Sequence, residues 1–562
     1  MSTLRSQILQ IASERDRTLH TLPTTADSQG VQKALTSLPL TLSDKGLGVT
    51  GAINHIIQDI LPGLAPGHAG PRYFGFITGG VLPSAQLADF LTTIYDQNVG
   101  ANRTDESIAA VIEWRALEYL LDLLDLPRDK FPARILTSGA TASNVLGLAL
   151  GRDYAVRTAL GSPNHSVSED GFGGVTVQVF CDRPHASLLK AAALVGIGRS
   201  NVIDLGKKLS HDGGNDNTFG MDLNELEERL KETTTTTLLG GVNGNKTAAV
   251  VAISFGEVNT GDFTPDIRGI RALCDKYSVW LHIDAAFGAY ARLVPDIVGS
   301  MAEGLELGDS ITSDAHKWLN VPYDCGIFFS RSIKEQQSIF TPAKGVPAYL
   351  SRLPSSSNTI NPELQLATEI PDAMTLTIEN SRRFRGLALY ASLLDQGREG
   401  YTQIIRRNIL FTRQIANWME SEKGKGYYEV LNLRTFSIPI PTTTSTSAET
   451  DEMDSKKTTI TSVVRTTPLN MLLFRARKGT NPINAYTTAS PSGSANLVKA
   501  INESKKMQVT PGDNAVRIAV SNWSTAIAGS GDDHLKEDFD IVVETLLSVV
   551  ENPPKWVSSS SY

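Results

Sequence analysis

The sequence predicts an α/β fold, with a mostly parallel β-sheet covered by helices in a large domain and a smaller α+β domain after it. Short apolar runs rich in Val and Ile recur along the chain and alternate with stretches whose apolar residues fall at helical spacing. Such alternation marks a parallel sheet with helices on its faces. Beyond about Arg385 the pattern becomes two strand candidates separated by a helix, as an α+β domain requires. At 562 residues the chain is also longer than one compact core usually holds.

Residues 1–104, with helical pieces and many Gly and Pro, are expected to form an N-terminal arm; 105–385 form the large domain and 386–562 the small C-terminal domain. Asp105–Leu124 spaces Ile108, Val111, Ile112, Leu120, Leu121 and Leu124 at helical intervals, predicting an amphipathic helix. Arg134–Thr137 reads as a short strand, followed by the small-residue turn Ser138-Gly139-Ala140-Thr141 and a helix from Ala142 to about Ala155. Val175–Cys181, Ala248–Phe255 and Val279–Asp284 read as strands buried on both faces. In the smaller domain, Leu469–Arg475 and Ala515–Val520 are strands and a helix surrounds Ala495–Ser504. Three Ser/Thr-rich stretches stand out: Thr233–Thr237, Ser355–Thr359 and Thr442–Thr459. The last, carrying mixed charges, is expected to be a flexible surface insertion, and His211–Asn217 a loop.

Composition narrows the function. Apolar residues make up 41% and charged residues 20%, near the globular average, which excludes a mainly disordered chain. The net charge of −8 disfavours a nucleic-acid or anionic-membrane partner. Cys181, Cys274 and Cys325 are too few and too scattered for a disulfide framework or a CxxC metal site. No run is long enough to span a bilayer, the charged N-terminus lacks a signal-peptide core, and the C-terminus carries no prenylation or peroxisomal signal, so a cytoplasmic location is expected.

Four features fall at one edge of the predicted sheet. Asp284 ends a buried strand, where α/β proteins bind ligands. Lys317 lies between two apolar strands in Ser313-Asp314-Ala315-His316-Lys317-Trp318; burying an ammonium is unfavourable unless it can lose its proton or form a covalent bond. The turn at Ala140 and Thr141 opens a helix and so offers backbone N–H groups to an anion. His185 follows the strand that ends at Cys181. Taken alone these have plainer readings: a cap, a lysine reaching to solvent, an unliganded turn, a structural histidine. Together they describe a pyridoxal 5′-phosphate (PLP) site. Lys317 would hold the cofactor through its ε-amine, Asp284 would pair with the ring nitrogen, His185 would stack on the ring, and the turn would take the phosphate, helped by Ser313, Asp314 or His316.

With these residues the chain resembles the group II PLP-dependent decarboxylases, among them the aromatic-L-amino-acid, glutamate and histidine decarboxylases. The resemblance runs from about Gly67 to Thr525 and rests most on LHIDAAFGAYA (Leu281–Ala291) and SDAHKWLNVPYDCG (Ser313–Gly326). It is supported by Gly70–Gly80, Thr137–Asn144, Ser381–Leu387 and Val516–Trp523, and by the 33-residue interval from Asp284 to Lys317. The resemblance implies a type I PLP-dependent, aspartate aminotransferase-like fold with a seven-stranded sheet in the large domain. It also implies a homodimer with shared active sites, Ala286 at the cofactor, and an arm in which Tyr73, Phe74 and Asp105 serve the substrate pocket and the interface. Tyr349, in Val346–Leu350, matches the loop tyrosine thought to protonate the substrate carbon after CO2 loss, where related aldehyde synthases have phenylalanine. The sequence departs from the family pattern at Glu257, expected either to perturb the site or to point away, and at Asp314, where several relatives have Asn, so that a phosphate contact there would come from its backbone N–H. The segment Asn102–Glu113 also matches poorly.

The activity implied is decarboxylation of an L-amino acid, an aromatic one in the first instance, to its amine and CO2. The alternatives are an aldehyde synthase or transaminase outcome, an acidic amino acid as substrate, and a non-catalytic binding protein of the same fold.

Overall fold

The structure, a computed structural model, describes residues 2–104, 106–210, 217–239, 246–341, 367–439, 461–477, 486, 493–527 and 534–558. The chain falls into two compact units: Met1–Gly80, Arg407–Leu431 and Asn470–Tyr562 form one, and Val81–Arg406 with Asn432–Leu469 the other. Neither is one continuous stretch, and the positions 104/105 and 385/386 both lie inside the larger unit.

Seven strands form the main sheet of the larger unit: β1 (Ala133–Thr137), β2 (Val175–Cys181), β3 (Val202–Asp204), β4 (Lys246–Ser254), β5 (Trp280–Asp284), β6 (Ser310–Asp314) and β7 (Gly326–Ser330). Their order is β1-β7-β6-β5-β4-β2-β3. Neighbours are parallel except β7, which runs antiparallel to both β1 and β6. Every residue of β1, β6 and β7 is buried, the charged Arg134 and Asp314 included, as strands covered on both faces require.

Two helices frame the sheet edge that carries the site. α1 (Ala109–Leu123) is the amphipathic helix expected over Asp105–Leu124; Asp105 lies outside the described residues and Ile108 is exposed. Its buried stripe of Ala116, Leu117, Leu120 and Leu121 also contains Glu113. That carboxylate accepts from Arg382 Nη1 at 2.6 Å, in an ion pair almost sealed from water, and Arg382 Nη2 donates to Leu136 O in β1. α2 (Ala140–Leu160) begins before the Ala142 expected and packs across β4, β5, β6 and β7. It comes close to the sheet because Gly147 faces His282: a Cβ there would strike the imidazole.

The threonine run Thr233–Thr237 lies within a helix, Leu223–Leu239. Thr233, Thr234 and Thr235 donate their hydroxyls to the carbonyls of Arg229, Leu230 and Lys231, so the run continues the helix by back-bonding. Ser355–Thr359 and Thr442–Thr459 lie outside the described residues, as does His211–Asn217 except for Asn217, which starts a strand, Asn217–Met221.

The smaller unit holds a four-stranded antiparallel sheet in the order Tyr428–Val430, Met471–Ala476, Ala515–Ala519, Thr510–Gly512. The helices Gly493–Glu503 and His534–Glu551 belong to the same unit. Phe74 N donates to Gln508 O at 2.9 Å and Ala519 N to Phe74 O at 3.1 Å, so this part of the arm is tied to that unit's sheet.

Removing one member of a buried ion pair strands the other. Glu113→Ala is therefore expected to cost about 3–5 kcal/mol, read as a lowered urea midpoint, and adding Arg382→Met should recover part of the loss.

Candidate active site

β2, β4, β5 and β6 are mutually parallel, so their carboxyl ends share one edge; β1 ends there too, because β7 reverses direction against both β1 and β6. Residues at and beyond those ends line a cavity of about 400 Å³, within the usual range for a small-molecule site. The cavity brings together Ala140, Thr141, His185, Asp284, Ala286, His316 and Lys317, all expected from the sequence.

The anion end is the start of α2. The first four N–H groups of a helix have no intrahelical partner. Gly139 N donates to Thr137 Oγ1 at 3.3 Å and Ala140 N to Asp314 Oδ1 at 2.7 Å, which leaves those of Thr141 and Ala142, both lining the cavity, for an anion. The turn is fixed from behind: Thr137 Oγ1 lies 2.8 Å from Ser143 Oγ, and Ser143 Oγ donates to Ile327 O at 3.0 Å. Gly326 allows this packing, since a Cβ there would meet the Gly139 backbone.

Asp314 is almost wholly buried. Besides capping α2, its Oδ2 lies 3.1 Å from Lys317 Nζ and 3.6 Å from His316 Nε2. Its backbone N–H donates to Ala286 O at 2.9 Å, so the phosphate contact expected from that group is already taken up within the protein. Burial holds the His316 imidazole below its ordinary range despite Asp314 beside it, and the His316 ring packs on Tyr323 at 4.5 Å.

Asp284 closes β5. Its Oδ1 accepts from Ala286 N at 3.2 Å and its Oδ2 from Asn144 Nδ2 at 2.8 Å. His185 caps α3 (Ala186–Leu194): its Nδ1 accepts from Ser187 N at 3.2 Å and lies 2.8 Å from Ser187 Oγ. Glu257 lines the cavity, but its carboxylate accepts from Asn259 N, Thr260 N and Thr260 Oγ1, fastening the loop after β4. The sequence reading missed Arg183, which lines the cavity with Nε 3.2 Å from Asp182 Oδ1 and Nη1 3.6 Å from Asp262 Oδ2. Its place two residues before His185 was the one signal that could have found it.

Other expected residues are placed elsewhere. Ser313 does not line the cavity: successive strand residues face opposite ways, and next to Asp314 its hydroxyl points to Tyr290, donating to the phenol oxygen at 3.0 Å. Burial drives the Tyr290 phenol well above its usual range, so it stays a donor, to Asp314 O at 3.1 Å. Tyr73 and Phe74 belong to the smaller unit, where Phe74 is fully buried against Phe411 and Tyr73 packs on His68. Tyr349 lies outside the described residues.

The donor set fits pyridoxal phosphate: an amine for the aldehyde, a carboxylate for the ring nitrogen, an imidazole for the ring face and helix N–H groups for the phosphate. Comparison with known proteins agrees. Residues 32–424 match the family described as the pyridoxal-dependent decarboxylase conserved domain. An L-2,4-diaminobutyrate decarboxylase from Acinetobacter baumannii is 26% identical over 391 residues, 68% of this chain and 69% of that protein. An aromatic-L-amino-acid decarboxylase from Bacillus atrophaeus is 24% identical over 360 residues, 63% of this chain and 64% of that protein. Among solved structures, Oryza sativa TDC with PLP and tryptamine superposes with a TM-score of 0.71 at 19% identity, covering 98% of each chain. That likeness establishes the type I PLP-dependent fold.

Asp314 sets a carboxylate at the same helix terminus that would take the phosphate, so Asp314→Asn is expected to tighten phosphate binding severalfold, measured by calorimetry with inorganic phosphate. Burial also pushes the His282 imidazole down to about 4. Unfolded, it titrates near ~6.5, so its contribution to stability is complete above that pH and is lost as pH falls toward the native value. The full effect is about 3 kcal/mol, read as a pH slope in urea midpoints between pH 7 and 4 that His282→Gln should flatten.

Proposed function

The chain belongs to the pyridoxal-dependent decarboxylases, carboxy-lyases acting with PLP, and from that premise we propose that it converts an aromatic L-amino acid to the corresponding amine and CO2. The observation that carries this is the meeting of Lys317, Asp284 and His185 on one cavity beside an N–H-lined helix terminus. The cofactor, when bound, accepts the electron pair of the breaking bond between the α-carbon and the carboxylate. Lys317 provides the amine that anchors it and that the substrate amine replaces. Asp284, already holding two N–H donors, is placed to pair with the ring nitrogen. His185 covers the ring face, and Thr141 and Ala142 take the phosphate. Tyr349 delivers the proton to the α-carbon, a role that rests on its sequence context.

An aromatic substrate is supported by the Bacillus relative and by the apolar cavity wall of Ala286, Phe287, Val258 and Tyr323. A second reading, a substrate carrying an additional amine, is favoured by the Acinetobacter relative and by Glu257 and Asp314 on the cavity wall. The proposal includes a cytoplasmic homodimer with shared active sites, in which 1–104 serves as the arm carrying Tyr73 and Phe74, 105–385 as the cofactor domain and 386–562 as the small domain. Among the described residues no helix is long and apolar enough to cross a membrane.

The test is to incubate PLP-loaded protein with each common L-amino acid and with L-2,4-diaminobutyrate, reading amine by mass and dioxygen uptake in parallel. Amine from tyrosine, tryptophan or phenylalanine without dioxygen uptake is expected; amine from diaminobutyrate or glutamate alone overturns the aromatic assignment. Lys317→Ala should release no CO2. Tyr349→Phe should divert product to aldehyde, ammonia and hydrogen peroxide with dioxygen consumed, and clean amine formation by that variant would refute the role of Tyr349.

A further inference from the structure

Asn144, on the second turn of α2, is fully buried and does not line the cavity, yet it touches three of the groups that organise it. Its Nδ2 donates to Asp284 Oδ2 at 2.8 Å and to Ser187 Oγ at 3.1 Å, and its Oδ1 lies 2.9 Å from His282 Nε2. Only this orientation of the amide works, because turned over it would set its oxygen against the Asp284 carboxylate.

That orientation fixes the protons around it. An amide oxygen only accepts, so His282 carries its proton on Nε2. His282 Nδ1 then accepts from Ser310 Oγ at 2.8 Å, and Ser310 Oγ in turn accepts from Trp280 Nε1 at 2.9 Å. On the other side, Ser187 Oγ receives the Asn144 N–H and its own hydroxyl proton points to His185 Nδ1 at 2.8 Å. The Ser187 backbone N–H also donates to that nitrogen, so neutral His185 carries its proton on Nε2. A directed chain therefore runs from Trp280 through His282 to Asn144, where it forks to Asp284 and to His185.

We propose that Asn144 is a positioning residue that couples the ring-nitrogen carboxylate Asp284 to the ring-stacking His185, fixing the orientation of one and the tautomer of the other. This rests on the roles that the proposed decarboxylation gives to Asp284 and His185. The amide is neutral and sealed from water, so it holds both groups without adding a charge. The ionisable groups that share the cavity with Asp284 are His185, Arg183, Lys317, Asp314, His316, Glu257 and Tyr323, and none of them supplies the N–H that Asn144 supplies.

Asn144→Asp is the incisive variant because it is isosteric. Protonated, the new carboxyl still donates to Asp284; ionised, it opposes it. The PLP-loaded variant should show a pH step in cofactor absorbance that wild type lacks, and above that step its PLP dissociation constant should rise about tenfold or more. Ser187→Ala, the milder change, should alter the His185 imidazole signals and leave the absorbance titration near wild type. In the full-length chain before cofactor loading, histidine-selective 15N spectra should show both His185 and His282 protonated on Nε2. An Nδ1 proton on either ring, or an Asn144→Asp variant that titrates and binds PLP as wild type does, overturns the proposal. If wild type itself takes no PLP and borohydride leaves Lys317 unlabelled, the decarboxylase reading fails and this role with it; that outcome is distinct from an unchanged titration in a loaded variant.

Discussion

The carboxylate of Asp314 is held between the positive end of a helix and an ammonium group, and the site is arranged around that contact. Its Oδ1 receives Ala140 N–H and its Oδ2 faces Lys317 Nζ. A buried ion pair contributes little net stability, since desolvation offsets much of the attraction. What it contributes is geometry: the lysine is drawn toward the start of α2, so the amine and the N–H groups of Thr141 and Ala142 are set relative to each other. The Tyr290 phenol fixes the same residue from behind, through Asp314 O.

The sheet makes this contact possible. Four parallel strands bring their carboxyl ends to one edge, and β7 lets β1 end there as well. The register Ser254–Asp284–Thr312 puts the ends of β4, β5 and β6 nearly level, so a carboxylate from one and a lysine just beyond another share a cavity. A side chain at Gly147 or at Gly326 would spoil it. One keeps α2 close over His282, and the other keeps the anion turn close to β7.

Much of this was legible in the sequence because period and burial leave strong traces. The unbroken apolar runs located β2, β4 and β5 closely, and the small residues after β1 located the anion turn. The coincidence of Asp284, Lys317 and His185 located the cavity. Less legible was anything decided by side-chain direction. Ser313 and Asp314 are neighbours in sequence, yet strand alternation sends one to Tyr290 and the other to the cavity. Glu257 looked like a charge in the site, but its carboxylate is taken by its own loop, a fact set by three local donors. Asn144 and His282 lay inside segments that carried the family resemblance, yet their hydrogen-bonding role was not legible, because a buried polar residue far from its partners in sequence looks like any other. Thr233–Thr237 stood out by composition alone and is helix, since hydroxyls can bond backward to carbonyls.

The charge arrangement bears on which side chains the cavity accepts. Among the lining residues the carboxylates are Asp284, Asp314 and Glu257, and the cations are Lys317 and Arg183. Lys317 faces Asp314, and Arg183 faces Asp182 and Asp262, so each cation already has an acidic neighbour. Burial holds His316 below its ordinary range. A phosphate entering here relies on helix N–H groups rather than on a spare positive charge. A substrate with an acidic side chain would add another anion beside three carboxylates, an arrangement that becomes more unfavourable as water leaves the cavity. A flat apolar side chain carries no such penalty, and one bearing an amine would gain from the same field. The carboxylates on the residues that organise this end of the cavity therefore weigh against an added anion there.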